Sequence, residues 1–399
     1  MKITNRIDYI QQVESLMCKS EAIVLTGHRR AGKSCVLASL ANRWKEIGNI
    51  IFIDMENPDF ADIETYQALH EYVKSNYKEG MKNFLLVDEV QEISAFEKTI
   101  RYWIRQDDMT VVVTGSNAAM LSSEVATAFA GRYFDVHINS LNYEEFLQFY
   151  SLQDSDESLT AYLRWGGLPF LAQIPMADTK VRTDYLGSIY DTIFVKDVIT
   201  RRKVRNVTLM GNLARFVADN IGKIFSANSI AKYLKGKENS VSSNTVAEYM
   251  DAWCESYMID KVKRYDIKGK LVFEQQEKYY FEDIGIRNYL CKDKRNIDIE
   301  KILENVVYLK LKNSGYNVYV GQINGKEIDF VARRGTEMLY VQVSMTITNE
   351  ATYQREFGNL KLIRDNYPKY LVTLDPNATL VNDNGIITYT LRDFLLRKL

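Results

Sequence analysis

This 399-residue chain is short of cysteine, of net charge and of long apolar runs. Its four cysteines, Cys18, Cys35, Cys254 and Cys291, are scattered, with no C-x-x-C pair and no histidine at metal-ligand spacing. That excludes a disulfide scaffold or a zinc module and predicts free thiols in a reducing compartment. A formal net charge of −1 provides no global attraction to nucleic acid or to an acidic membrane. No apolar run approaches the roughly 18 residues needed to span a bilayer. Asn5, Arg6 and Asp8 interrupt the start, where a secretory signal would be continuously apolar. A cytoplasmic protein without membrane contact is expected. There is no internal repeat and no low-complexity tract. With 46% hydrophobic and 26% charged residues the composition is that of a globular protein, long enough for two to four domains.

What is present begins with alternation. Short β-rich runs at 22–26, 50–55, 84–87, 110–114 and 134–138 are separated by amphipathic stretches, the pattern of βαβ units and a mostly parallel sheet. The polar, acidic stretch 151–158 predicts a linker into a helical region. From about 208 the pattern becomes three helices, at 209–220, 229–234 and 245–258. Two strands at 260–265 and 271–274 follow, around the turn Lys268-Gly269-Lys270. Three helices and a two-stranded wing describe a winged helix. The charged stretch 292–298 leads into a last α/β unit.

Gly27-His28-Arg29-Arg30-Ala31-Gly32-Lys33-Ser34 fits G-x-x-x-x-G-K-[ST] at every fixed position, between a strand and a helix. The glycines let the backbone fold back so that successive N–H groups, up to Cys35, point at phosphates. The following helix adds the positive end of its dipole. Lys33 is placed for the β- and γ-phosphates of ATP, and the Ser34 hydroxyl for Mg²⁺. The apolar strand Phe84-Leu85-Leu86-Val87 then ends in Asp88 and Glu89. Asp88 is assigned to Mg²⁺, and Glu89 to orienting or deprotonating the attacking water. The run 111–114 ends in Gly115-Ser116-Asn117. Either polar side chain there can meet the γ-phosphate or the water, or simply form a strand-end turn. Arg132 precedes the run at 134–138. Two readings compete for it: a finger reaching a neighbouring subunit's γ-phosphate, or a cap on the preceding helix.

Taken in this order, with SLNYEEF at 140–146, GGLP at 166–169, IFVKDVITRRKVRN at 193–206 and EIDFV at 327–331, the chain resembles the AAA-type ATPases of bacteria and archaea that carry a C-terminal domain of unknown function. The resemblance covers nearly the whole length. It implies an α/β multidomain fold: a P-loop parallel-sheet ATPase core at 1–150, a helical lid at 151–206, a winged helix at 207–290 and a nuclease-like α/β unit at 291–399. It also favours Arg132 as a finger acting in trans within a homo-oligomer.

Nucleic acid is not the favoured partner. The third helix of the winged helix carries Glu248, Asp251 and Glu255 and no basic residue, and acid facing phosphate repels. Lys261, Lys263, Arg264, Lys268 and Lys270 make the hairpin basic, and Arg201-Arg202-Lys203 with Arg205 forms a sharp cluster; solvated faces or interdomain contacts explain both. The last unit resembles the PD-(D/E)XK nuclease fold, with Glu304 and Asp329 in place, but Gln342-Val343-Ser344 replaces E-x-K. A neutral amide is a poor Mg²⁺ ligand, so an inactive nuclease-like unit is expected. Two other functions stay open: a nucleotide-dependent switch or scaffold with little turnover, and a DNA-associated ATPase. No protein partner is identified.

Overall fold

The computed structural model describes residues 6–17, 21–116, 132–200, 206–235, 241–292, 298–348, 350–376, 382–383 and 385–399. They form two compact units, one of Met1–Asn139 with Glu255–Tyr257, the other of Ser140–Cys254 with Met258–Leu399. Among the described residues no helix is long and apolar enough to cross a membrane.

The first unit is built on strands β1 (Ala22–Thr26), β2 (Asn49–Asp54), β3 (Asn83–Asp88), β4 (Met109–Thr114) and β5 (Tyr133–His137), in the order β2-β3-β4-β1-β5. Every neighbouring pair is parallel. β1, β3 and β4 are buried from end to end, which is why AIVLT, NFLLVD and MTVVVT read as continuous apolar runs instead of alternating. On one face Ile23 and Leu25 pack against Ile10 and Val13 of α1 (Ile7–Leu16) and against Val36, Leu40 and Trp44 of α2 (Lys33–Trp44). On the other, Val24, Leu85 and Val113 pack against Leu69 and Val73 of α3 (Tyr66–Asn76) and Ile100 of α4 (Glu97–Trp103). Each such side chain stabilises the layer by about 1.5–3 kcal/mol relative to exposure. Because all five strands run one way, the residues after β1, β3 and β4 emerge along one edge of the sheet. Ligands of open α/β sheets bind along that edge.

The second unit holds an eight-stranded sheet: β6 (Ile259–Asp266), β7 (Leu271–Phe281), β8 (Asn317–Ile323), β9 (Lys326–Arg334), β10 (Glu337–Ser344), β11 (Lys369–Thr373), β12 (Asn382–Asp383) and β13 (Ile386–Thr390). The order is β12-β13-β11-β10-β9-β8-β6-β7. Its helices include α5 (Tyr143–Tyr150), α6 (Asp156–Trp165), α7 (Thr179–Thr192, continued by a π-helix at Ile193–Thr200), α8 (Val207–Asp219), α9 (Ala227–Lys235), α10 (Ser243–Glu255), α11 (Ile284–Leu290), α12 (Ile299–Asn313) and α13 (Glu350–Lys361).

Here the units divide differently from the sequence expectation. Tyr143 and Phe146 of α5 belong to the same core as Tyr162, Leu213, Trp253, Val306 and Phe330, so the contact boundary falls at 139–140 instead of 150. The expected linker at 151–158 is the turn into α6, where the Ser155 hydroxyl accepts from the Ser158 N–H. The three helices and the hairpin of the expected winged helix are present as α8, α9, α10 and β6–β7. The hairpin is no free wing, however: β6 pairs in parallel with β8, Arg264 opposite Val320, and thereby extends the C-terminal sheet. Lys261 on that hairpin donates to Asp251 of α10 at 3.0 Å, one basic side chain neutralised by an acidic one. Gly166-Gly167-Leu168-Pro169 is a packing turn: the Gly167 N–H donates to Asp283 Oδ2 at 2.9 Å, and a Cβ at Gly167 would lie 2.2 Å from the Leu141 carbonyl oxygen. The basic cluster 201–205 lies outside the described residues.

Candidate nucleotide site

The loop between β1 and α2 gets its shape from three residues with left-handed backbones: Gly27 (φ 130°), Arg30 (φ 64°) and Gly32 (φ 106°). A Cβ on Gly27 would stand 2.2 Å from the Ile138 carbonyl oxygen, so only glycine fits there. No side chain caps α2, and its first turn contains no acidic residue, which leaves the helix N-terminus with its donors and positive dipole end. Lys33 is buried, and its ammonium donates to the Gly27 and His28 carbonyls at 2.9 Å each. His28 is buried too, with Nδ1 donating to the Arg29 carbonyl at 2.7 Å. Arg30, Ser34 and Cys35 are exposed.

One residue that sequence reading missed holds this loop in place. The buried guanidinium of Arg6, just before α1, donates to the Ala31 carbonyl at 3.2 Å and to the Asn139 carbonyl at 2.7 Å. It also stacks on Tyr9. An arginine beside an N-terminal helix carries no local sequence signal; the contact joins positions 25 and 133 residues apart.

Beside the loop, β3 ends in the buried Asp88. Its Oδ1 accepts a short hydrogen bond from the Thr114 hydroxyl, and Ser34 donates to the same carboxylate. Burial raises the Asp88 pKa; the hydrogen bonds from Thr114 and Ser34 oppose that, and the neighbouring Glu89 and Asp54 reinforce it. Thr114 is a second residue missed from sequence: it ends β4, next to β3, and its Oγ1 also accepts from the Glu89 N–H at 2.9 Å. The available signal was a hydroxyl closing an otherwise apolar strand.

Glu89 adopts a left-handed backbone (φ 52°), uncommon for a residue with a side chain and frequent where function demands it. Its Oε2 accepts from the buried Ser116 hydroxyl at 3.2 Å and, through a short bond, from the Gln91 side chain. Lys33, Ser34, Asp88, Glu89 and Ser116 are therefore gathered on one edge of the sheet. Asn117 lies outside the described residues. Arg132 is exposed and lies at the other end: its carbonyl accepts from Ala22 N at 3.1 Å, at the start of β1, whereas the loop follows that strand's end. Five residues at about 3.3 Å each separate the two ends, beyond the reach of an arginine side chain, so Arg132 does not serve its own chain's loop.

These residues fit a nucleoside triphosphate with Mg²⁺. A glycine cradle that a Cβ would fill, an uncapped helix start and a buried ammonium suit phosphate oxygens. A carboxylate and a hydroxyl, both hard oxygen donors, suit Mg²⁺.

Known proteins agree with this architecture. Residues 19–147 match the model of an AAA domain, and residues 156–297 that of a domain of unknown function (DUF8612). An uncharacterized protein of Haemophilus influenzae is 31% identical over 378 residues, covering 92% of this chain and 93% of its own. The uncharacterized protein MJ1544 of Methanocaldococcus jannaschii is 26% identical, covering 98% of this chain and 88% of its own. Among solved structures, the Walker-type ATPase paby2304 of Pyrococcus abyssi shares the fold at TM-score 0.53 and 15% identity, over 73% of this chain and 96% of that one. With the P-loop and its carboxylate neighbours in this arrangement, the chain belongs to the family of AAA-type P-loop ATPases that carry a C-terminal domain of unknown function.

Proposed function

We propose that the first unit binds ATP with Mg²⁺ and hydrolyses it, and that nucleotide state moves the second unit. The observation that carries this reading is the hydrogen-bonded set of Ser34, Asp88, Thr114 and Glu89 beside the loop that holds Lys33. In this reading the backbone of Gly27, His28, Arg29, Arg30, Ala31, Gly32 and Cys35 binds the phosphates, and the Lys33 ammonium neutralises them. Ser34 and Asp88 hold Mg²⁺, which when bound offsets charge on the phosphate oxygens. Glu89 orients a water and takes its proton as the water oxygen bonds to the γ-phosphorus and the bond to the β-phosphate oxygen breaks, leaving ADP. Ser116 positions Glu89. Asn117 touches the γ-phosphate or the water, and Arg132 supplies charge to a neighbouring chain's site.

The test separates binding from chemistry. Lys33→Ala removes a charge-assisted contact worth about 1.5–3 kcal/mol, so ATP affinity should fall roughly tenfold to a hundredfold by isothermal titration. Glu89→Gln should bind ATP and lose turnover. Wild-type affinity in Lys33→Ala would sink the site assignment.

A second reading, a switch with little turnover, is favoured by one feature: the Glu89 carboxylate is already engaged by Gln91 and Ser116. Turnover that stays negligible as protein concentration rises, with and without DNA, would select it. DNA-stimulated turnover would instead select a DNA-associated ATPase. We also read the second unit as unable to cut nucleic acid. Gln342 turns its Oε1 to the Asp329 N–H at 3.3 Å, and Ser344 donates to the Thr346 carbonyl. Cleavage of DNA or RNA with Mg²⁺ or Mn²⁺ that disappears in Asp329→Ala would refute this.

A further inference from the structure

Resemblance to the nuclease fold implies a divalent cation between Glu304 of α12 and Asp329 of β9. The side chains present do not fit one, because a cation of the chain itself is already there. Lys278 of β7, 2% exposed, donates from Nζ to Glu304 Oε1 at 2.8 Å and pairs with Glu327 Oε1 at 2.8 Å. Tyr280, two residues along the same strand, donates to the same Glu304 oxygen at 2.5 Å. Asp329 also acts electrostatically on this ammonium, while its Oδ2 accepts from the Val343 N–H at 2.8 Å. We propose that Lys278 is the built-in counter-ion of this carboxylate cluster, that it excludes divalent cations from the second unit, and that its removal converts the cluster into a site for an oxygen-seeking divalent cation. This rests in part on the reading of that unit as inactive.

Three observations support it. Lys278 lies at the expected winged-helix end of the chain, outside 291–399, and is brought to Glu304 because β6 and β7 extend the sheet beyond β8. Burial alone would lower the lysine's pKa, but Glu304, Asp329 and Glu327 outweigh burial and hold it above the ordinary value, so the group is charged. The cluster also has more acid than one ammonium can neutralise. Glu304, Glu327 and Asp329 face one ammonium. The buried Glu356 of α13 also acts on Asp329, but its Oε1 is paired with Arg355 at 2.6 Å and only its Oε2 lacks a hydrogen-bond partner among the described residues. Gly222 completes the setting: a Cβ there would lie 2.6 Å from Glu304 Oε2. A dication entering this group would meet the Lys278 charge at contact distance, where repulsion in a buried site is strong. With the ammonium in place no group of three or more His, Cys, Asp or Glu among the described residues could hold a metal, so the site made by removing Lys278 requires Glu304, Glu327 and Asp329 to close on the space it leaves.

The experiment uses the full chain without nucleotide, in an Asp88→Asn background that silences the P-loop cation site. Thermal unfolding is followed with and without Mg²⁺, Mn²⁺ or Ca²⁺. With Lys278 intact the midpoint should move by less than about 1 °C. Lys278→Met should melt lower by about 10 °C and recover at least about 5 °C with Mn²⁺. If Lys278→Met does not accumulate, Lys278→Met/Glu304→Gln decides: with one charge of each sign removed it should fold without any cation. Three results overturn the inference: a folded Lys278→Met that ignores all three cations, a double variant as unstable as the single one, or cation stabilisation with Lys278 intact that Asp329→Asn abolishes. None of these is a cleavage assay, so the inference and the reading of inactivity can fail separately.

Discussion

Asp88 shows at the scale of one residue how a binding carboxylate costs stability when it stands alone. Burial raises its pKa, and the hydrogen bonds from Ser34 and Thr114 offset this only in part. A carboxyl whose folded pKa exceeds the unfolded value of about 3.9 binds its proton more tightly in the folded chain. Its contribution is therefore favourable at pH below that value and declines as pH rises through the folded pKa. At neutral pH the nucleotide-free chain carries this cost. Asp88→Asn keeps partners for both hydroxyls and removes the charge. It should raise the melting temperature of the nucleotide-free protein at pH 7 by about 2–4 °C, a gain that shrinks toward pH 4, while Mg²⁺-dependent ATP affinity is lost. Scanning calorimetry across pH checks this; a lower midpoint for the variant at pH 7 would mean that the carboxylate is fully compensated.

At the scale of the element, the β1–α2 loop depends on backbone space as much as on charge. Gly27→Ala would force a Cβ to within 2.2 Å of the Ile138 carbonyl oxygen at a φ of 130°, and the obstacle is backbone that cannot swing away. Gly80 is also left-handed (φ 77°) but a Cβ there meets nothing within 4 Å. Gly80→Ala should therefore cost only the conformational strain, about 1–2 kcal/mol. Gly27→Ala should in addition displace the loop and reduce ATP affinity at least about tenfold, as losing a charge-assisted phosphate contact does. Denaturant titration and nucleotide binding on the two variants separate strain from loop displacement; equal, near-wild-type binding in both would show that the loop tolerates the shift.

Two predictions belong to the whole molecule. If Arg132 serves a neighbour, Arg132→Ala should bind ATP normally and hydrolyse it poorly, and mixing it with Glu89→Gln should restore activity, since some sites then pair an intact Glu89 with an intact Arg132. A turnover number independent of protein concentration in a strictly monomeric wild type would refute the trans role. The second concerns folding. A fragment of residues 291–399 loses β6 and β7 and strips the Lys312 ammonium of both acceptors, Asp260 at 2.6 Å and Glu282 at 2.9 Å. It also leaves Glu304 without Lys278. Breaking a buried pair by removing one partner costs about 3–5 kcal/mol, comparable to the stability of a small domain. The fragment should give a non-cooperative unfolding curve, whereas residues 140–399 should unfold cooperatively. A cooperative transition in the short fragment would show that it folds on its own.

The sequence by itself determined the core of the first unit, because parallel strands buried on both faces must be apolar throughout and a phosphate loop needs glycine where the backbone turns left-handed. That Gly27, Lys33, Ser34, Asp88 and Glu89 come together along one edge of the sheet was legible for that reason: their spacing is fixed by the strands and the turn that carry them. Arg6 and Thr114 were not, because an arginine before a helix and a threonine at a strand end acquire meaning only from partners across the sheet. The hairpin was recognisable as two strands at 260–265 and 271–274, but the extension of the second strand to Phe281 and the pairing of the first with β8 depend on which edge is free in space, which no local pattern encodes. Tertiary structure alone decided that Lys278 lies among Glu304, Glu327 and Asp329, since the buried charge and its acceptors come from segments 26 to 51 residues apart and are stable only together.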